Sequence, residues 1–227
     1  ITCMNGIPHW YFHKLDNKHA NYKIKCLDPK LLIDAMLPPD NIVGSVVYPA
    51  CEIVKPGTIK HIAGNRFSLG EPEGSESDRL KFISDILKRA GFRAPIQKNI
   101  RDEIWLKLIG NLSFNPISAL TGATLEQICN DQGTEAIVRA MMTEAKIIAE
   151  ELGAKINMSI EKRIEGARKV GAHKTSMLQD IEAGKPIEID SIIIAVKELG
   201  ELTSSPTPYI NIILNLTLQK AKLIGCL

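Results

Sequence analysis

The stretch IWLKLIGNLSFNPISALTG, residues 104–122, decides how this chain is read. Apolar residues dominate it, yet Lys107, Asn111 and Asn115 recur at every fourth position. On a helix of 3.6 residues per turn such residues line up along one side. Two readings are open: the stripe is a solvated face, or it points into a polar pocket. Burying an unpaired amide costs roughly 1–3 kcal/mol and a charged ammonium more, so a pocket would have to supply partners. A solvated face usually mixes Glu, Lys, Gln and Ser, whereas Asn is a poor helix former at mid-helix. Asn115 also precedes Pro116, which biases it out of the helical region and predicts that it caps a second helix over 116–120.

Towards the C-terminus strand signals nearly vanish. Helical periods cover 104–114, 116–120, 124–129 with Thr124 and Gln127 as a capping box, 134–152, 160–170, 186–199 and 208–224. Gly122, Gly133, Gly153, Gly171, Gly184 and Gly200 stand at the stops, and Pro116, Pro186 and Pro208 at first-turn positions. Towards the N-terminus the grammar changes. NIVGSVVYPACEIVKPGTIKHIAG, residues 41–64, predicts strands around 46–48 and 58–62 punctuated by Pro56-Gly57. After the turn-rich GEPEGSES, Ser75 and Asp78 predict a capping box ahead of an amphipathic helix that carries Leu80, Ile83, Ile86, Leu87 and Ala90 and ends at Gly91. The expected fold class is α/β over residues 1–98 followed by all-α over residues 99–227.

Composition narrows the function. The 227 residues (25.0 kDa) are 44% hydrophobic, that of an ordinary globular protein, and 28 basic against 26 acidic residues leave a formal charge of +2. The charges are interspersed, which gives no footprint for nucleic acid or an anionic membrane and favours small-molecule ligands. Five scattered cysteines, Cys3, Cys26, Cys51, Cys129 and Cys226, form no Cys-x-x-Cys or Cys/His cluster. Neither a metal site nor a disulfide framework is expected, and a reducing cytoplasm fits best.

Three further groups of residues each admit two readings. In HKTSMLQDIEAGKPIEID, residues 173–190, Ser176 with Gln179 reads as a capping box, while Glu188 and Asp190 fall in the first turn after Pro186. The functional alternative makes Ser176 a carboxylate-binding hydroxyl and Glu188 the partner of a lysine. The opening ITCMNGIP reads as the end of a strand running into a Gly/Pro turn, with Asn5-Gly6 either a plain turn or, beyond a strand's carboxyl end, a ligand contact. His61 and His173 have no partner at useful spacing. No Gly-x-Gly-x-x-Gly, P-loop, His-Glu-x-x-His or Gly-x-Ser-x-Gly motif occurs.

Taken together, NGIPHWYF at 5–12, Lys107-x-x-x-Asn111-x-x-x-Asn115-Pro116, Ser176-Met-Leu-Gln-Asp180 and Glu188-Ile-Asp190 resemble the ketopantoate reductases, the NADPH-dependent 2-dehydropantoate 2-reductases. The resemblance covers essentially the whole chain. It implies a Rossmann-type domain, of which residues 1–98 would be the C-terminal part, followed by a helical substrate domain over 99–227, with the active site in the cleft between them. It implies Lys107 as the proton donor to the ketone oxygen, Glu188 as the acid beside it, and Asn111, Asn115 and Ser176 as substrate-binding residues. Asn5 would lie near both nicotinamide and substrate, and Glu201 is a second cofactor-side candidate. Members of the family open with a glycine-rich turn that this sequence lacks, so the chain is expected to be missing that region, to bind NADPH poorly and to be inactive alone. Expected partners are a small 2-keto acid, with ketopantoate leading and bulkier 2-keto acids as the alternative that NGIPHWYF suggests. Neither nucleic acid nor membrane is expected, and a homodimer is the candidate assembly. The rival from another class is a non-catalytic helical dimerisation module with a vestigial site.

Overall fold

The structure, a computed structural model, describes residues 1–51 and 53–227. The chain divides into two compact units: 1–23 with 28–104, and 24–27 with 105–227.

The first unit is built on a small mixed sheet. Strands β1 (Thr2–Cys3) and β2 (Gly44–Val47) are parallel, and β2 pairs antiparallel with β5 (Phe67–Gly70), in the order β1-β2-β5. A short helix α1 (Leu32–Met36) precedes β2. Strands β3 (Ala50–Lys55) and β4 (Thr58–Ala63) form a separate hairpin about Pro56-Gly57. The sequence pattern located β2 and β4 but not β3 or β5; β5 was missed because pairing between residues 44–47 and 67–70 is non-local and leaves no short-range mark. Helix α2 (Asp78–Arg89) lays Leu80, Ile83 and Leu87 against Val43, Leu69, Ala94 and Ile96 to form the core of this unit. Its cap is Ser77, which accepts from the Leu80 amide at 3.1 Å, and not the expected Ser75, whose hydroxyl turns to Glu73. Ser77 prevails because its hydroxyl also donates to Glu71, a carboxylate already gripped by Arg79.

Arg101 organises the loop that follows β1. It is 5% exposed, and its guanidinium donates to the carbonyls of Tyr11 (2.7 Å), Pro72 (2.6 Å) and His13 (2.9 Å) while lying over the Tyr11 ring. The loop's own aromatic residues, Trp10, Tyr11 and Phe12, are buried beside it.

Helix α3 (Ile100–Thr121) starts in the first unit and continues through the second. There it is joined by α4 (Leu125–Asn130), α5 (Gln132–Glu151), α6 (Ile160–Val170), α7 (Ser176–Glu182), α8 (Ala195–Thr203) and α9 (Pro208–Ile224). Helix α5 shows how the periodicity works: Val138, Met141, Met142, Ala145, Ile148 and Ala149 fall on one face and are buried. On that helix Glu144 is also buried, because its carboxylate receives the Tyr209 and Ile210 amides at 2.9 and 3.0 Å. It supplies the anion that the first turn of α9 favours. No helix among the described residues is long and apolar enough to cross a membrane.

Candidate active site

The Lys-Asn-Asn stripe lies on one unbroken helix. The expectation that the helix stops before Pro116 and that Asn115 caps another is overturned, since α3 passes through Pro116. An internal proline removes one backbone hydrogen bond and crowds the preceding turn, at about 3 kcal/mol. Around it, however, Leu108, Ile109, Leu112, Phe114, Ile117 and Ala119 are all buried. Each large apolar side chain among them contributes roughly 1.5–3 kcal/mol, so packing outweighs the break. At the far end Lys220 donates to the Ala119 and Leu120 carbonyls and so caps the helix with a cation. Along the stripe Lys107 and Asn111 are half-buried and Asn115 is 5% exposed. The Asn115 amide nitrogen is buried with no hydrogen-bond partner among the described residues. This is not a solvated face.

The Lys107 ammonium sits in an unusual electrical setting. Burial pushes its pKa down from 10.5 to about 8; Arg163 presses in the same direction, and Glu188 opposes them. Asp180, on α7, is raised above the ordinary carboxylate range by burial and by the Glu188 charge, with Lys185 acting against that rise. The structure therefore gathers Lys107, Glu188, Asp180 and Arg163 into one group. The first two carried roles in the sequence reading; Asp180 was quoted there only as part of a motif, and Arg163 was not picked out. Arg163 had a signal in Gly110, a glycine in the interior of α3, where it costs roughly 0.5–1 kcal/mol relative to alanine and so wants a reason. A Cβ at Gly110 would stand 2.0 Å from an Arg163 guanidinium nitrogen and 2.7 Å from both Cζ and Nε.

Glu188 reaches this group from a turn without regular secondary structure. The expectation of a helical first turn after Pro186 is not met: residues 185–188 lie in neither helix nor strand, the Ile189 amide turns back to the Ile187 carbonyl at 2.9 Å, and the chain then enters a π-helical turn, Asp190–Ile194, that runs into α8. The Ile187 amide donates to the Cys226 carbonyl at 3.0 Å. Ile187 and Ile189 are buried while Glu188, at the tip of the tight turn between them, is exposed.

Ser176 is the first residue of α7 and is exposed. Its expected capping box does not form, because the cap is the buried Thr175, whose hydroxyl accepts from the Leu178 amide at 3.4 Å. The Ser176 hydroxyl does not serve as the cap of α7. Asn5 lies in the first unit at the bend after β1, followed by Gly6 at φ 75°, a value that suits glycine. Glu201 is exposed near the end of α8, where Lys197 donates to it at 2.5 Å.

These placements can be set beside known proteins. A family model described as ketopantoate reductase PanE/ApbA C terminal matches residues 99–221. A 2-dehydropantoate 2-reductase of Mesorhizobium japonicum is 49% identical over 226 residues, which is 100% of this chain and 69% of that protein. The chain belongs to the ketopantoate reductase family. A family member of known structure, from Ralstonia solanacearum MolK2, superposes with a TM-score of 0.94 at 39% identity over 99% of this chain and 68% of that one. A more distant 2-dehydropantoate 2-reductase, from Archaeoglobus fulgidus, is 26% identical and is matched over 54% of its length. The ketopantoate reductase fold thus accounts for a helical unit preceded by a small sheet.

Proposed function

We propose that the protein containing this chain is an NADPH-dependent reductase of 2-keto acids, with 2-dehydropantoate as its leading substrate and pantoate as product. The observation that carries this reading is a half-buried ammonium, Lys107, with a pKa near 8, set beside Glu188 on a helix face lined by two asparagines. Reduction delivers a hydride, supplied by NADPH when bound, to a 2-keto carbon, and negative charge then develops on the former ketone oxygen. Below about pH 8 Lys107 is mostly protonated, so it can both stabilise that oxygen and hand it a proton. Glu188 holds the ammonium charged and faces the substrate hydroxyl. Asn111 and Asn115 offer amides to the substrate's polar groups, Asn115 having a buried donor to give. Ser176 receives the carboxylate. Asn5 and Glu201 are assigned to the cofactor side. The sequence has no Gly-x-Gly-x-x-Gly turn, so no such turn within residues 1–227 holds the pyrophosphate.

The test is consumption of NADPH with ketopantoate and with a series of bulkier 2-keto acids, measured on this chain and on the product of the complete reading frame that contains it. Turnover is expected from the complete product, strongest with ketopantoate, and little from residues 1–227 alone. Failure of the complete product with every keto acid would leave a non-catalytic dimerisation module as the better account. Sedimentation of the same sample tests the homodimer that we also propose.

A paired substitution separates binding from capping on α7. Ser176→Ala is expected to raise KM for the keto acid with little change in stability, whereas Thr175→Ala should cost about 1 kcal/mol and leave KM alone. Unaltered KM in Ser176→Ala would remove Ser176 from the site.

A further inference from the structure

Gly110 stands one helical turn beyond Lys107 and next to Asn111. Three atoms of the Arg163 guanidinium group, a terminal nitrogen, Cζ and Nε, occupy the space that a side chain at 110 would fill, at 2.0, 2.7 and 2.7 Å from its Cβ. Helix α3 is bare at one point, and at that point α6 lays a flat, delocalised cation on the backbone beside the proposed proton donor. A guanidinium stays charged at every pH the protein meets, so this is a fixed charge next to a titrating one. Its placement is hard to ascribe to ion pairing with Lys107, since the two repel.

We propose that Arg163 is a positioning residue of the Lys107 site: seated over Gly110, it adds to burial in making the Lys107 ammonium a readier proton donor and so lowers the upper pH limit of the reaction. The part concerning the reaction rests on the reductase reading above; the electrostatic part does not. The charges acting on Lys107 come from α6, as Arg163, and from the segment ahead of the π turn, as Glu188. Behind Glu188 stand Asp180 of α7 and Lys185. Arg163 opposes Glu188: the carboxylate holds the proton on Lys107 and the guanidinium loosens it. A reductase needs both, because a lysine with an ordinary pKa would be charged but slow to part with its proton.

The measurement is titration of isotope-labelled lysine by NMR in residues 1–227, with the Lys107 signal assigned by its loss in Lys107→Arg. Arg163→Met removes the charge. Gly110→Ala keeps it and pushes it away, since the flexible end of Arg163 is what must shift. In both, the Lys107 midpoint is expected to rise above about 8 while staying below the ordinary 10.5, because burial, the larger cause of the depression, is untouched, and Arg163→Lys should stay nearer the parent. Gly110→Ala also guards against a misfolded Arg163→Met. An unchanged midpoint in Gly110→Ala and Arg163→Met would overturn the assignment. In the complete enzyme the alkaline limb of kcat/KM should move with the NMR midpoint; a midpoint that moves while the limb does not would overturn the part concerning catalysis. A complete parent enzyme without turnover would count against the reductase reading alone, and the NMR midpoints would still decide the role of Arg163.

Discussion

Lys107→Ala is expected to lower kcat by roughly 10²–10⁴-fold in the complete enzyme, the range for loss of a placed general acid, while affinity for NADPH changes little. The loss should fall on kcat because the ammonium matters most once charge has developed on the ketone oxygen. In the parent, the rate should fall as pH rises through about 8, where Lys107 gives up its proton. Stability should move the other way. The folded-state pKa of about 8 lies below the ordinary 10.5, so the folded chain holds fewer protons than the unfolded chain between those values. The destabilisation from burying the ammonium is therefore fully present below about pH 8 and is relieved as pH rises towards 10.5. Lys107→Met, which keeps the stem and discards the charge, should accordingly stabilise the protein at neutral pH, by an amount on the order of 1–3 kcal/mol. A variant that is more stable and nearly inactive would mark Lys107 as a residue kept for chemistry. Near-normal kcat in Lys107→Ala would return the stripe to an ordinary helix face.

Arg101→Met should be the most damaging change in the first unit, at about 3–5 kcal/mol. The guanidinium is buried and its hydrogen bonds go to the carbonyls of Tyr11, His13 and Pro72. Methionine fills much of the volume but leaves those buried acceptors unpaired, each at roughly 1–3 kcal/mol, with some recovered by relaxation and water. Arg101→Lys should not rescue fully, because an ammonium is a compact point donor and cannot span carbonyls that a planar fork reaches. Denaturant unfolding followed by tryptophan fluorescence reads the change, since Trp10 lies in the loop that Arg101 ties down. A loss below about 1 kcal/mol would show that the loop stands without its clamp, and Arg101 would then be a passenger in the core.

Much of the helical unit was readable one residue at a time. Helices α6 and α9 begin and end where the pattern put them, because their boundary signals are local: Ser159 caps α6 and Gly171 follows it, while Pro208 opens α9 and Gly225, at φ 69°, closes it. The capping box of Thr124 and Gln127 formed as expected for the same reason. Other caps moved by one or two residues, from Ser75 to Ser77 and from Ser176 to Thr175, although the same kind of hydroxyl was present at both places. Which one serves depends on where neighbouring groups hold the chain, and that is not a property of the local sequence.

The stripe itself, Lys107, Asn111 and Asn115 on one helix face, follows from spacing alone, because 3.6 residues per turn is a constant of the backbone. What the spacing could not determine is that α3 survives Pro116, that β2 finds β5, or that Glu188 arrives on a non-helical turn. Each is a balance in which a local preference worth a few kcal/mol meets packing or pairing contributed from far along the chain. Arg163 is the sharpest case. It stands 53 positions after Gly110 (163 − 110), so nothing in either neighbourhood announces the other. Local sequence set which residues share a face, through the geometry of the helix; tertiary structure set what that face meets, because the pKa of Lys107 depends on burial and on charges that only the fold brings within reach.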